Sequence, residues 1–384
     1  MSTISSIAIS KFKSGRYSQQ IGYKSFVPEL INRQWHIDNP GLASLLSEAD
    51  RKLGELNAFS QLIPDIDFFI KMHITKEATT SSRIEGTQTN MEEAFVKKEN
   101  LDPEKRNDWD EVHNYIQAVK YSIAKLRELP ISTRLIRETH ALLLQGVRGE
   151  HKLPGSYRSS QNWIGATLKD AVFIPPHHSE LDTLLSDLEN FLHNDEVPVP
   201  PLIKIGIIHY QFETIHPFLD GNGRMGRLLI TLFLVSNGLL HQPALYLSDF
   251  FERNRSHYYD YLHRVRTHHD MQQWLKFFLS GILETSAKSI QTFKDILHLK
   301  DKIEQQLPSA FNIRRIDNVK KILTILYQNP ITSVAQIQEE LKLDKSTAAR
   351  LINDFEKLGW LKELTGFKRN RLFVFEEYMN IFNK

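Results

Sequence analysis

Apolar residues at helical spacing recur along most of this chain. In GLASLLSEADRKLGELNAF, Leu42, Leu45, Leu46, Ala49, Leu53 and Leu56 fall on one face at three- and four-residue intervals. The same spacing returns in TRLIRETHALLLQGV, LDTLLSDLENFLH, LIKIGIIHYQFETI, GRMGRLLITLFLVSNG and QQWLKFFLSGILETSAKSIQTFKDIL, with glycine and proline between the runs. Such a chain must bury helix on helix, so the expected fold class is mainly α, a helical bundle. Only SSQNWIGATLKD and the following AVFIPP read as extended, a small β-hairpin with its tip near Thr167. Residues 1–25 are polar and patternless and read as an extended arm.

At 384 residues the chain is too long for one ordinary core. KDILHLKDKIEQQLPSA has helix formers and no turn chemistry before Pro308, as expected of a helical connector. After it the texture changes. NVKKILTILYQNP, TSVAQIQEELKL and DKSTAARLINDFEKLGWL read as three helices, the last capped by Asp344 or Ser346, and KELTGFKRNRLFVF as a wing. This end resembles a winged helix-turn-helix domain. From Lys342 to Arg371 eight basic residues face four acidic ones, a local +4 in a chain of net +2, and FKRNR at the wing tip suits phosphate contacts. The expected division is 1–105, an N-terminal helical region; 106–290, the core; 291–315, the connector; and 316–384, the winged helix-turn-helix domain.

There is no cysteine, which removes disulfides, thiolate nucleophiles and zinc ribbons. The longest apolar stretch, Leu228 to Leu240, is shorter than the ~20 residues a membrane span needs. The first residues lack the apolar run of a signal peptide. The expected setting is cytoplasmic, without a membrane partner. The pairs His177–His178 and His268–His269 have no partners at metal-ligand spacing and read as surface or loop.

Chemistry concentrates in HPFLDGNGRMGR, His216 to Arg227. Pro217 disfavours helix at the residue before it, so one helix ends at His216 and another starts near Arg224. Gly221, Asn222 and Gly223 then lie at a helix N-terminus, where unpaired N–H groups and the helix dipole favour an anion. Arg224 and Arg227 share the first turn, and arginine makes forked contacts to phosphate. Asp220 is a hard oxygen ligand suited to Mg²⁺. His216 is the group in the loop able to take a proton near neutral pH. The alternative is a plain turn between core helices with solvated arginines, but two arginines at a helix start oppose the dipole and need another reason. A cradle, a metal carboxylate, arginines and a base describe phosphoryl or nucleotidyl transfer.

This stretch resembles the Fic family signature, HPFx[DE]GNGRxxR, at every fixed position. The resemblance covers about residues 26–283 and implies a helical protein adenylyltransferase, moving AMP from ATP to a hydroxyl side chain (Ser, Thr or Tyr) of a target protein. It makes His216 the base, Asp220 the Mg²⁺ ligand, Gly221, Asn222 and Gly223 the phosphate cradle, Arg224 a phosphate contact and Arg227 the group reaching the γ-phosphate. Relatives that transfer a phosphate carry lysine where Arg224 stands, so GNGR points to AMP transfer. TTSSRIEGTQT similarly resembles the family's inhibitory motif: Ser81 and Glu85 share a helix face, Gly86 reads as its C-cap, and Glu85 would pair with Arg227 and deny it to the γ-phosphate. The stretch from His151 to Leu181 resembles the family's target-binding flap. Gln211, Asn254 and Tyr258 are expected to line the nucleotide pocket. The implied cofactors are ATP, as substrate, and Mg²⁺.

Other readings remain. One is a DNA-binding regulator whose Fic core senses nucleotide. Another is removal of AMP, or transfer from a different nucleotide donor, at the same site. The expected partners are a target protein, DNA through the C-terminal domain, and a second copy, since relatives admit a homodimer.

Overall fold

Four short strands open the chain: β1 (Ser6–Ala8), β2 (Gly15–Gln19), β3 (Lys24–Pro28) and β4 (Gln34–His36). β1 pairs in parallel with β4, and β2 pairs antiparallel with β3, placing Tyr17 opposite Phe26. The molecule is described by a computed structural model over residues 6–367 and 369–383. Within those residues the expected patternless arm is instead folded. Ile9 and Phe12 are buried with Ile31 and Trp35, and the Phe12 and Trp35 rings lie 4.6 Å apart. Strands of three to five residues are too short to print a period on the sequence. Residues 1–5 of that arm lie outside the described residues.

Ten helices follow: α1 (Pro40–Gln61), α2 (Ile66–Ile84), α3 (Arg106–Lys125), α4 (Thr133–Leu143), α5 (Leu181–His193), α6 (Pro201–Ile215), α7 (Asn222–Ser236), α8 (Leu247–Arg253), α9 (Arg255–His268) and α10 (Met271–Ala310). The Asn39 side chain caps α1 by accepting from Leu42 N–H, and Pro40 takes the first position, where its missing N–H costs nothing. Leu42, Leu46, Ala49, Leu53 and Leu56 are buried as their spacing requires, and α1 packs along α10. α6 is buried on every side from Leu202 to Ile215. It forms the central hairpin with α7. α5 and α10 cover α6, while α3 and α4 cover α7.

The expected hairpin over residues 159–176 is reduced to a single bridge between Ile164 and Phe173. Pro175 and Pro176 remove donors. The segment spends its other backbone groups on β3, where Phe26 N–H reaches Ile174 O at 2.9 Å, and on side chains described below.

The connector and the end of the core are one 40-residue helix, α10, with Pro308 in its last turn. The winged helix-turn-helix domain follows: α11 (Ile313–Gln328), β5 (Ile331–Thr332), α12 (Val334–Leu341), α13 (Lys345–Lys357), β6 (Lys362–Glu363), β7 (Phe373–Val374) and α14 (Glu376–Asn383). Its antiparallel sheet has the order β5-β7-β6. Asp344 caps α13, accepting from Thr347 N–H at 2.9 Å. α14, absent from the sequence reading, buries Tyr378, Met379 and Phe382. The domain packs on the core through α2: Phe69 meets Tyr327 at 5.6 Å, and His73 meets Phe382 at 5.2 Å. Lys368, counted in the wing's charge, lies outside the described residues.

Candidate active site

α6 stops at His216, which adopts left-handed backbone angles of φ 50° and ψ 60°. Non-glycine residues rarely take this conformation, and Pro217 prevents the helix from running on. Gly221, at φ 74°, turns the chain into α7. Asn222 closes the loop with both ends of its amide: Oδ1 accepts from Phe218 N–H at 2.9 Å, and Nδ2 donates to Phe218 O at 2.9 Å.

His140 of α4 braces the loop from below. Gly155 N–H donates to its Nδ1 at 2.9 Å, so the ring proton sits on Nε2 and goes to Asp220 O at 2.8 Å. Its ring stacks on Phe218 at 3.6 Å. Burial holds this imidazole down to about 4, hence neutral.

Arg224 and Arg227 are both buried. Arg227 donates from Nε to Ser81 Oγ at 2.9 Å, and from Nη2 to Ser81 O at 2.9 Å and Glu85 Oε1 at 2.7 Å. Ser81 and Glu85 therefore meet on one guanidinium, and Gly86, at φ 105°, follows the cap of α2. Burial would raise the Glu85 carboxyl, but Arg227 outweighs it and holds the acid below its ordinary range. A Cβ on Gly223 would collide with Glu85 Oε1, so only glycine lets the carboxylate lie against the start of α7. Arg224 donates from Nη1 to Glu111 Oε2 at 3.0 Å, and Arg148 Nε reaches the other oxygen of the same carboxylate at 2.8 Å.

The Asp220 side chain is 42% exposed and accepts from Gly221 N–H at 2.6 Å. A Cβ on Gly149 would stand 2.7 Å from Asp220 Oδ2, so this glycine keeps an open cradle beside the carboxylate. Among the described residues no three His, Asp or Glu side chains gather into a metal cage. A cation at Asp220 would take its remaining ligands from phosphate and water, the habit of Mg²⁺, and the open cradle fits it.

Burial lowers the His216 imidazole to about 4, leaving it a neutral base at pH 7. Glu213, one turn earlier, is buried and pushed up to about 7 by desolvation. The three further residues expected at the pocket each hydrogen-bond to the scaffold. Gln211 donates to Glu29 O at 3.0 Å, and Asn254 to Phe250 O at 2.9 Å. Tyr258 is buried with its hydroxyl 2.9 Å from His209 Nε2, and His209 Nδ1 lies 3.0 Å from Gly226 O, so Tyr258 supports α7 from behind. The sequence reading missed Glu111, His140, Gly149, Arg158, Asn162 and Glu213. Only Glu213, inside FETIHPF, lay close enough to the motif to be noticed.

The fold and this loop define a class. Residues 43–124 match the Fic/DOC family N-terminal profile and residues 130–234 the Fic/DOC family profile, and over that span the chain belongs to the Fic/DOC family. Residues 317–362 match a winged helix-turn-helix DNA-binding profile. Among curated proteins the chain is similar to a "Probable protein adenylyltransferase" of Aquifex aeolicus, 32% identical over 176 residues, covering 44% of this chain and 50% of that one. It is also similar to the "Protein adenylyltransferase Fic" of Drosophila virilis, 26% identical over 224 residues, covering 58% of this chain and 41% of the relative. The chain thus spans half or less of the curated relatives it matches. Two solved structures share the fold. A Fic family protein from Desulfovibrio desulfuricans has a TM-score of 0.57 at 20% identity, covering 88% of this chain and 97% of its own. Fic-1 from C. elegans has 0.52 at 20% identity, covering 68% and 75%.

Proposed function

We propose that this chain is a protein adenylyltransferase that moves AMP from ATP to a hydroxyl side chain of a target protein. The observation that carries the reading is convergence: a neutral histidine, an open carboxylate and two buried arginines meet at the N-terminus of α7. His216 takes the proton of the target hydroxyl. The hydroxyl oxygen attacks the α-phosphorus in line, the bond to the bridging oxygen breaks, and pyrophosphate leaves. Gly221 to Gly223 let the α7 amides approach the phosphates, and Arg224 and Arg227 bind their charge. Bound at Asp220, Mg²⁺ would supply further neutralisation of the phosphates. The reaction belongs to residues 106–290 and is set in the cytoplasm; among the described residues no helix is long and apolar enough to cross a membrane.

In the same reading Glu85 holds the resting enzyme. An arginine fork filled by a carboxylate cannot take the γ-phosphate, and that carboxylate repels it. The test is incubation with α-labelled ATP and Mg²⁺ of the parent and Glu85→Gly, each also carrying His216→Ala. Strong label on protein with Glu85→Gly, weak label with the parent and none with His216→Ala is the expected result. No label from Glu85→Gly would sink AMP transfer, and label on target lost faster in its presence would favour AMP removal.

A second activity has its own support. Residues 317–362 resemble a DNA-binding module, and Lys345, Ser346, Arg350 and Lys357 of α13 are exposed along with Arg369 and Arg371 of the wing. DNA binding by this face fits alongside the transferase reading.

A further inference from the structure

Arg158 is 2% exposed and, among the described residues, forms no ion pair. Its guanidinium binds backbone carbonyls instead: Pro176 O at 2.6 Å, His216 O at 3.0 Å, Ser160 O at 3.2 Å and Ile215 O at 3.3 Å. Its own N–H reaches Pro217 O at 2.9 Å. Asn162 Nδ2 reaches His216 O at 3.1 Å and Phe218 O at 2.9 Å. Residues 158–162 therefore take all four successive carbonyls from Ile215 to Phe218.

Two explanations compete. A cation at a helix C-terminus satisfies orphan carbonyls and the dipole, and α6 ends here. That accounts for an arginine near Ile215, but not for two side chains on His216 O, nor for a buried cation without a counter-ion, which is expensive. His216 also holds a left-handed backbone that a histidine adopts only under constraint. Both side chains that bind the His216 carbonyl come from within the flap stretch, residues 151–181.

We propose that Arg158, with Asn162, is a positioning residue for His216: the two fix its left-handed backbone and aim its imidazole from the segment that receives the target. The inference rests on His216 being the base of the proposed reaction. Charge supports it. Burial is the largest influence lowering the His216 imidazole; Arg158 and Arg266 of α9 lower it further, while Glu85 at the end of α2 and the Glu213 carbonyl at Nδ1 raise it. Arg158 remains a cation at neutral pH, lowered by burial only to about 10.

The test uses the full chain and two readouts. With histidine-selective isotope labelling, the His216 signal is assigned by its loss in His216→Ala and titrated by NMR. Arg158→Met is expected to raise the His216 pKa, and Arg158→Lys to leave it nearer the parent. In a Glu85→Gly background, Arg158→Met is expected to lower kcat about a hundredfold with KM for ATP unchanged, because the base and not the nucleotide site is misplaced. Arg158→Lys should recover part of kcat. Asn162→Ala should lower kcat while leaving the His216 pKa in place, and it decides the matter with Arg158→Lys if Arg158→Met melts early. An unmoved His216 pKa in folded Arg158→Met overturns the proposal. So does unchanged kcat, or a loss carried by KM for ATP. If Glu85→Gly alone transfers nothing, the AMP-transfer reading fails, and the titration still decides what Arg158 does.

Discussion

Arg224 Nη1 lies 3.0 Å from Glu111 Oε2, and both side chains are 4% exposed. An arginine expected on phosphate thus already has a buried acid partner on α3, which fixes where its fork points before any ligand arrives. Removing one member of a buried pair strands the other. Glu111→Ala is expected to cost about 3–5 kcal/mol of stability in urea unfolding. Glu111→Gln, which keeps one hydrogen bond, should cost less. Equal stability of Glu111→Ala and the parent would show the pair to be dispensable.

Ser81 and Glu85 occupy Arg227 together, so freeing the arginine should free the site. Basal ATP turnover is expected to rise in Glu85→Gly by about 5–150-fold, the range of an ordinary coupling energy. Glu85→Gln should fall between, since it keeps the shape and loses the charge. Turnover independent of residue 85 would remove the resting contact from the mechanism.

Gly149 borders Asp220 so closely that a Cβ would stand 2.7 Å from Oδ2, and its φ of 94° disfavours any side chain. Gly149→Ala should therefore raise the Mg²⁺ concentration needed for half-maximal activity by about 10–100-fold. Gly54→Ala, where nothing lies within 4 Å of the added atom, is the control. A similar Mg²⁺ requirement in both would count against Asp220 as the ligand.

Glu213 gives a pH signature. Its carboxyl rises from 4.5 to about 7 on burial, so between these values the folded chain holds a proton that the unfolded chain releases. Its contribution to stability therefore falls as pH rises through this window. Glu213→Gln should flatten that fall, so its Tm should gain on the parent between pH 5 and pH 8. Parallel Tm curves would show that the acid is not perturbed.

Arg350 is exposed on α13. If that helix contacts DNA phosphates, Arg350→Ala should reduce the slope of log K against log salt by about 1. Duplex binding with an unchanged slope would move the contact elsewhere.

His216 to Arg227 could be read from the sequence because acid, glycines, arginines and base stand in consecutive positions, and one helix start brings them together. Ser81 and Glu85 could be read because four residues make one helical turn. Arg158 and Glu111 could not. Arg158 meets His216 across 58 positions, and Glu111 meets Arg224 across 113. Nothing local in GSYR or WDEV marks either residue, and only tertiary closure makes them partners. Gln211, Asn254 and Tyr258, expected from spacing to line the pocket, hydrogen-bond to Glu29 O, Phe250 O and His209, and only the Asn254 contact is local in the chain. The hairpin at Ile164 and Phe173 looked more regular in sequence than it is, because its backbone serves Arg158 and β3 as well as itself.

α10 passes without a break from the core into the winged helix-turn-helix end. Trp274, Phe278 and Ile282 are buried near its start, and Ile296, Leu299, Ile303 and Leu307 toward its far end. Cutting the polypeptide after residue 290 would sever this rod at mid-length and strip α1 of part of its packing surface. The two ends of the molecule share a spine, so exchange of the C-terminal module between relatives would need a junction beyond Phe311, where the rod has ended.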